Sequence, residues 1–77
     1  MDDMINLSGI QGKDIEICDL DINVQVITIK DMRNDITYKG RISSFYLNSE
    51  IRQSFSGEVV DISYSVDITL MEYVVLG

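Results

Sequence analysis

Between residues 62 and 70 the chain alternates without a break. Ile62, Tyr64, Val66, Ile68 and Leu70 are apolar, and Ser63, Ser65, Asp67 and Thr69 stand between them. Successive side chains of a β-strand point to opposite faces, so a period of two predicts a strand with one buried and one wet face. Tyr64, Val66, Ile68 and Leu70 are the expected core residues of this strand.

The same period recurs upstream, but in broken phase. Ile15 and Ile17 alternate with Asp14 and Glu16, and Leu20, Ile22, Val24 and Val26 then alternate with Asp19, Asp21, Asn23 and Gln25. The phase slips between Ile17 and Leu20, again at Val26 and Ile27, and once more before Phe45 and Leu47. A slip of one residue sends every side chain to the opposite face, so each slip demands a turn or a β-bulge, or a stretch buried on both faces. Asp31-Met32-Arg33-Asn34-Asp35 has turn chemistry, because Asn and Asp tolerate left-handed backbone and bond their own main chain. The next strand carries Ile36, Tyr38, Gly40 and Ile42, and Gly40 within it marks a bend, a bulge or a close approach of another backbone. Residues 48–57 are polar apart from Ile51 and Phe55 and read as a loop. Leu47, Ile51 and Phe55 also fit one face of a short helix over residues 48–54. Residues 1–12 are weakly patterned, with loop signals at Ser8-Gly9 and Gln11-Gly12, and read as a flexible or partner-binding arm on a single β-domain spanning residues 1–77.

The expected fold is therefore all-β: a small antiparallel sheet curled toward a barrel or sandwich. A chain of 77 residues has room for one core and buries only about 60–65% of the surface its unfolded form exposes. Disulfides, metals or oligomerisation commonly make up the deficit. Cys18 is the single cysteine and histidine is absent, so an internal disulfide is excluded and a structural zinc site has no ligand set. Oligomerisation remains. The lone Cys18 fits a reducing compartment.

A formal net charge of −7 opposes contact with a nucleic-acid backbone or an anionic membrane surface. The charge is segregated: Asp2, Asp3, Asp14, Glu16, Asp19 and Asp21 crowd the first third, and Lys30, Arg33, Lys39, Arg41 and Arg52 fall in the middle. Such separation suits docking of copies or of a larger partner. Catalytic groups are not assembled anywhere: there is no imidazole base, no nucleophile-elbow serine and no phosphate loop. The nearest approach to a cation site is Asp19, Asp21 and Asn23, expected on one strand face. They read as a solvated polar face rather than as ligands, since hard cations take six or more oxygens. Cys18 lacks an adjacent basic residue to lower its pKa and is expected as a small buried apolar side chain. No enzyme activity, cofactor or metal is expected.

Two segments carry a resemblance. Residues 38–45, Tyr-Lys-Gly-Arg-Ile-Ser-Ser-Phe, are followed by a polar loop and then by residues 57–73, ending Leu70-Met71-Glu72-Tyr73. This resembles the β-domain of baseplate and hub-associated proteins of phage tails and related contractile injection particles, including those that bear a LysM repeat. The best-matching positions are Asp61, Ile62, Tyr64, Leu70, Glu72 and Tyr73. Val74, Val75 and Leu76 stand where that family has Arg after Glu-Tyr, and no LysM repeat is present, so cell-wall binding is not implied. The resemblance implies a structural subunit at the baseplate or tube end of a phage or bacteriocin particle, made in the bacterial cytoplasm and packed among other tail proteins and copies of itself. Glu72, Tyr73, Val74, Val75 and Leu76 are the expected inter-subunit contacts, because the apolar run Val74-Val75-Leu76 would otherwise face water. The alternative is a small acidic phage-encoded inhibitor of a host defence protein.

Overall fold

A computed structural model describes residues 3–77; Met1 and Asp2, part of the expected arm and acidic cluster, lie outside the described residues. The described residues form five strands, β1 (Met4–Gln11), β2 (Ile15–Asp21), β3 (Val26–Asp31), β4 (Ile36–Gln53) and β5 (Val59–Val75), with a short 3-10 turn at Gly12–Asp14. All pair antiparallel in one sheet of order β1-β5-β4-β3-β2. The all-β expectation holds, and the sheet is not closed into a barrel.

Bulges bend this single sheet over its own core. Cys18 is the extra residue between Ile17 and Asp19 on β2, and Ser43 is the extra residue between Ile42 and Ser44 on β4. Both lie where the apolar phase slips. On β1, Ser8 and Gly9 together oppose Asp67, and Gly9 takes φ +66°, which glycine adopts without steric cost. Asp67 fills that bulge: its Oδ1 accepts the Gly9 N–H at 2.6 Å and the Ser8 hydroxyl at 3.1 Å. On β5, Glu72 (φ +52°) and Tyr73 lie opposite Gly40. A Cβ at Gly40 would stand 2.8 Å from Tyr73 Cβ and 3.0 Å from its Cα, so the close approach expected at this glycine is present. Bulges increase local twist and bend. The inner face of the bent sheet gathers Leu7, Ile10, Ile27, Ile29, Tyr38, Val66, Ile68 and Leu70 into one buried cluster.

The two short hairpins follow one recipe. Asp21 Oδ1 accepts the Asn23 N–H at 3.0 Å, and Asp31 Oδ1 accepts the Arg33 N–H at 2.9 Å. Each turn then closes on a left-handed residue, Gln25 (φ +58°) and Asp35 (φ +56°). The turn at 32–35 is where it was expected. The turn at 22–25 was not: Leu20, Ile22, Val24 and Val26 alternate like a strand, yet the chain reverses between Asp21 and Val26, leaving Ile22 and Val24 exposed. This reversal is the cause of the phase slip at Val26.

Three further expectations are corrected. Residues 4–11 form β1, paired with β5, rather than a loose arm. Residues 48–53 are neither loop nor helix but the continuation of β4, so the connection to β5 shrinks to a turn around residues 54–58. Cys18 is exposed, because the bulge it occupies turns it out of the core.

Candidate protein-protein interface

The molecule measures 53 × 24 × 20 Å, and its length comes from β4 and β5. β3 last pairs with β4 at Arg41, and β1 last pairs with β5 at Ser65. Beyond those points residues 48–64 continue as a two-stranded hairpin with no flanking strand. Gly57, at φ +86°, lets the tip reverse, and the Gly57 and Ser54 N–H groups donate to Ser54 O and Glu58 O.

Register decides what each face of this distal hairpin presents. The partners Phe45–Ile68, Leu47–Val66, Ser49–Tyr64 and Ile51–Ile62 share one face. That face is continuous with the core, because Val66 and Ile68 are buried in it. The partners Asn48–Ser65, Glu50–Ser63 and Arg52–Asp61 share the other, which is polar. Arg52 and Asp61 approach to 3.9 Å across it, both well exposed, a pair that adds little stability. The apolar face has no covering layer: Leu47, Ile51 and Ile62 are each about 60% exposed, and Phe55 at the tip is fully exposed. Among the described residues, half of the exposed large hydrophobic side chains lie between residues 45 and 64.

Tyr64, expected in the core, marks the boundary. It is 43% exposed, and its ring covers Gly12, where any Cβ would collide with it. At the foot of the hairpin Leu20, Ile22, Ile42 and Phe45 line an open groove of about 390 Å³.

The expected interface residues lie at the other end of β5. Val74 and Val75 pair with Lys39 and Tyr38 of β4, and backbone bonds join Leu76 N–H to Thr37 O and Thr37 N–H to Gly77 O. Tyr73 packs half-buried on Tyr38, ring centroids 6.2 Å apart. Glu72 Oε1 accepts from Arg41 Nη2 at 3.1 Å. The segment is thus part of the chain's own sheet, while the side chains of Val74, Val75 and Leu76 stay more than half exposed. Removing it would break pairing within the chain as well as any contact outside it.

Asp19 and Asp21 are exposed on β2 and Asn23 lies in the turn, so the three do not share a strand face. Among the described residues no three His, Cys, Asp or Glu side chains converge as a metal site would need. Among the described residues the buried charge is Asp31. Burial alone would push its carboxyl up, but hydrogen bonds from the Arg33 side chain, Asn34 Nδ2 and the Arg33 N–H outweigh it and hold the group below its ordinary 3.8. Asp31 anchors a turn; it does not face a cleft.

No protein-family model, characterised protein or solved structure matches this chain. The geometry of the distal hairpin is therefore the ground on which function is read.

Proposed function

We propose that this chain is a structural subunit that works by packing against other protein chains, with the distal hairpin as its principal contact. The observation that carries this reading is the uncovered apolar face of residues 45–64, in register with a core that is fully covered. An isolated two-stranded hairpin is marginal in water, and a contiguous exposed apolar patch marks an interaction surface. A covering partner supplies the second layer that the hairpin lacks and adds to the limited burial of a 77-residue sequence. Val74, Val75 and Leu76, with Glu72 and Tyr73, form a second contact on the body.

The larger assembly we propose is a phage-tail-like contractile particle, at its baseplate or tube end. Support for it comes from the resemblance in residues 38–45 and 57–73. Those two segments run in β4 and β5, neighbours in the sheet, and the variable polar stretch between them belongs to the distal hairpin. The mass of the chain in solution and in its native complex tests the proposal. A stoichiometric repeat within a large particle is expected. A free chain bound to one host protein would replace this reading with the inhibitor.

A further inference from the structure

The assembly reading leaves the partner at the distal hairpin unnamed. We infer that the apolar face is covered by the same face of a second copy of this chain, two hairpins stacking as a two-layer sandwich. This inference rests on the assembly reading and specifies the occupant.

Area is the first argument. Phe45, Leu47, Ile51, Ile62 and Tyr64 are between 40% and 62% exposed. Side chains of this size leave roughly 500 Å² on one copy, so a pair removes on the order of 1,000 Å², the lower bound for a specific interface.

Charge is the second. A chain of net charge −7 repels its copies in general, so self-association needs a surface from which charge is removed. The apolar face is such a surface: its residues are Phe45, Leu47, Ser49, Ile51, Ile62 and Tyr64, none of them Asp, Glu, Lys or Arg. Glu50, Arg52 and Asp61 point to the opposite face, and Glu16, Asp19 and Asp21 lie on β2 at the sheet edge. Lys13 stands at the rim beside Ile62 and Tyr64, and no carboxylate stands among the face residues, so a second copy brings no acidic group against another there.

Shape is the third. Ser49 sits directly opposite Tyr64, a small residue beside a large one, between the flanking pairs Leu47–Val66 and Ile51–Ile62. A two-fold axis near this pair sets the Ile51–Ile62 pair of each copy over the Leu47–Val66 pair of the other, with the Tyr64 ring held at the rim against its own Gly12. Two-fold contacts require this kind of self-complementarity, and stacked sheets at about 10 Å spacing accommodate it.

The test uses the full-length chain with Cys18→Ser, so that the exposed native thiol does not interfere. Sedimentation equilibrium from low micromolar to millimolar concentration should show the mass rising from 8.7 kDa to twice that value. Ile62→Glu should weaken the dimer by on the order of 100-fold, because it sets a carboxylate in the apolar layer, without moving the melting midpoint of the monomer. A short bismaleimide should join copies carrying Ser49→Cys and leave copies carrying Ser63→Cys, on the polar face, unjoined. A dimer that ignores Ile62→Glu, or that is joined through Ser63→Cys, overturns the inference. So does a chain that stays monomeric at every concentration. In that last case, loss of Ile62→Glu from native particles would still uphold the assembly reading, with a different protein on the hairpin. Conversely, a dimer of the inferred kind in a chain found in no larger assembly would leave the inference standing and remove the particle.

Discussion

Ile62 and Ile68 lie on the same face of the same strand. Ile68 is fully buried and Ile62 is 62% exposed. Their local sequences are alike, apolar with a polar residue on each side. The difference is in what lies beside and above them: at Ile68 the strand is flanked on both sides, by β1 at Leu7 and by β4 at Phe45, and the bent sheet covers the face, whereas at Ile62 only β4 lies beside it and nothing covers it. Alternation states which side of a strand is apolar. Whether that side is covered depends on how many neighbours the strand has. The body and the distal hairpin are one strand pair under two regimes, the first folded by its own chain and the second left for another.

The sharpest way to break this contrast is to truncate both residues. Ile68→Ala opens a cavity in a packed cluster and should cost about 3–4 kcal/mol. Ile62→Ala should cost less than about 0.5 kcal/mol in the dilute chain, because the side chain is already wet. Chemical denaturation of the two variants below the dimerising concentration measures both. Equal losses would mean that the hairpin face is covered within a single chain.

Glycines sharpen the contrast next. Gly40→Val places its branched side chain against the Tyr73 backbone, which cannot yield without breaking the β4–β5 pairing, and should cost roughly 1–3 kcal/mol. Gly57→Ala has open space around it, so its cost is confined to the left-handed backbone, about 1 kcal/mol. It should fray the tip and leave the melting of the body unchanged. A body that melts earlier in Gly57→Ala than in Gly40→Val would reverse the assignment of which end holds the fold.

Much of the body was legible from residue order. The slips at Cys18 and Ser43 are bulges, Asp31-Met32-Arg33-Asn34-Asp35 is a turn, and Gly40 faces another backbone. The hairpin was not legible, for a physical reason. A strand pair wet on both faces and unpartnered on both edges has the polarity of a loop, and a spacing of four residues satisfies both periods. Leu47 and Ile51 therefore read equally as one side of a helix and as one face of a strand. Phe55, the third member of that series, lies past the strand end in the turn. The turn at 22–25 was hidden for the opposite reason: Ile22 and Val24 are apolar in a position where the Asp21 carboxylate, and no glycine or proline, enforces the reversal. The interface expected at residues 72–76 was placed by its apolar run, although part of that run serves internal pairing.

The smallest expected effect is pH-dependent and belongs to the body alone. Asp31 titrates below its ordinary 3.8 in the folded chain, so its contribution is fully present above the unfolded value and is lost as pH falls through the folded one. Asp31→Asn should lower stability near neutral pH by roughly 1 kcal/mol, a modest figure because Arg33 is nearly half exposed. The two melting curves should converge toward the acid limit. A constant gap down to that limit would show that the charge on Asp31 contributes nothing.

Hydrogen exchange read residue by residue tests the division of labour most directly, because it reports both regions in one unmodified chain. In dilute solution the amides of the distal hairpin, residues 49–53 and 59–63, should exchange orders of magnitude faster than those of Ile27, Ile29, Ile68 and Leu70, which open only with the whole body. In the assembled state the hairpin amides should become as slow as the body's, while the body amides change little. Hairpin amides already as protected as the core in the dilute chain, or unchanged on assembly, would contradict a hairpin that waits for a partner.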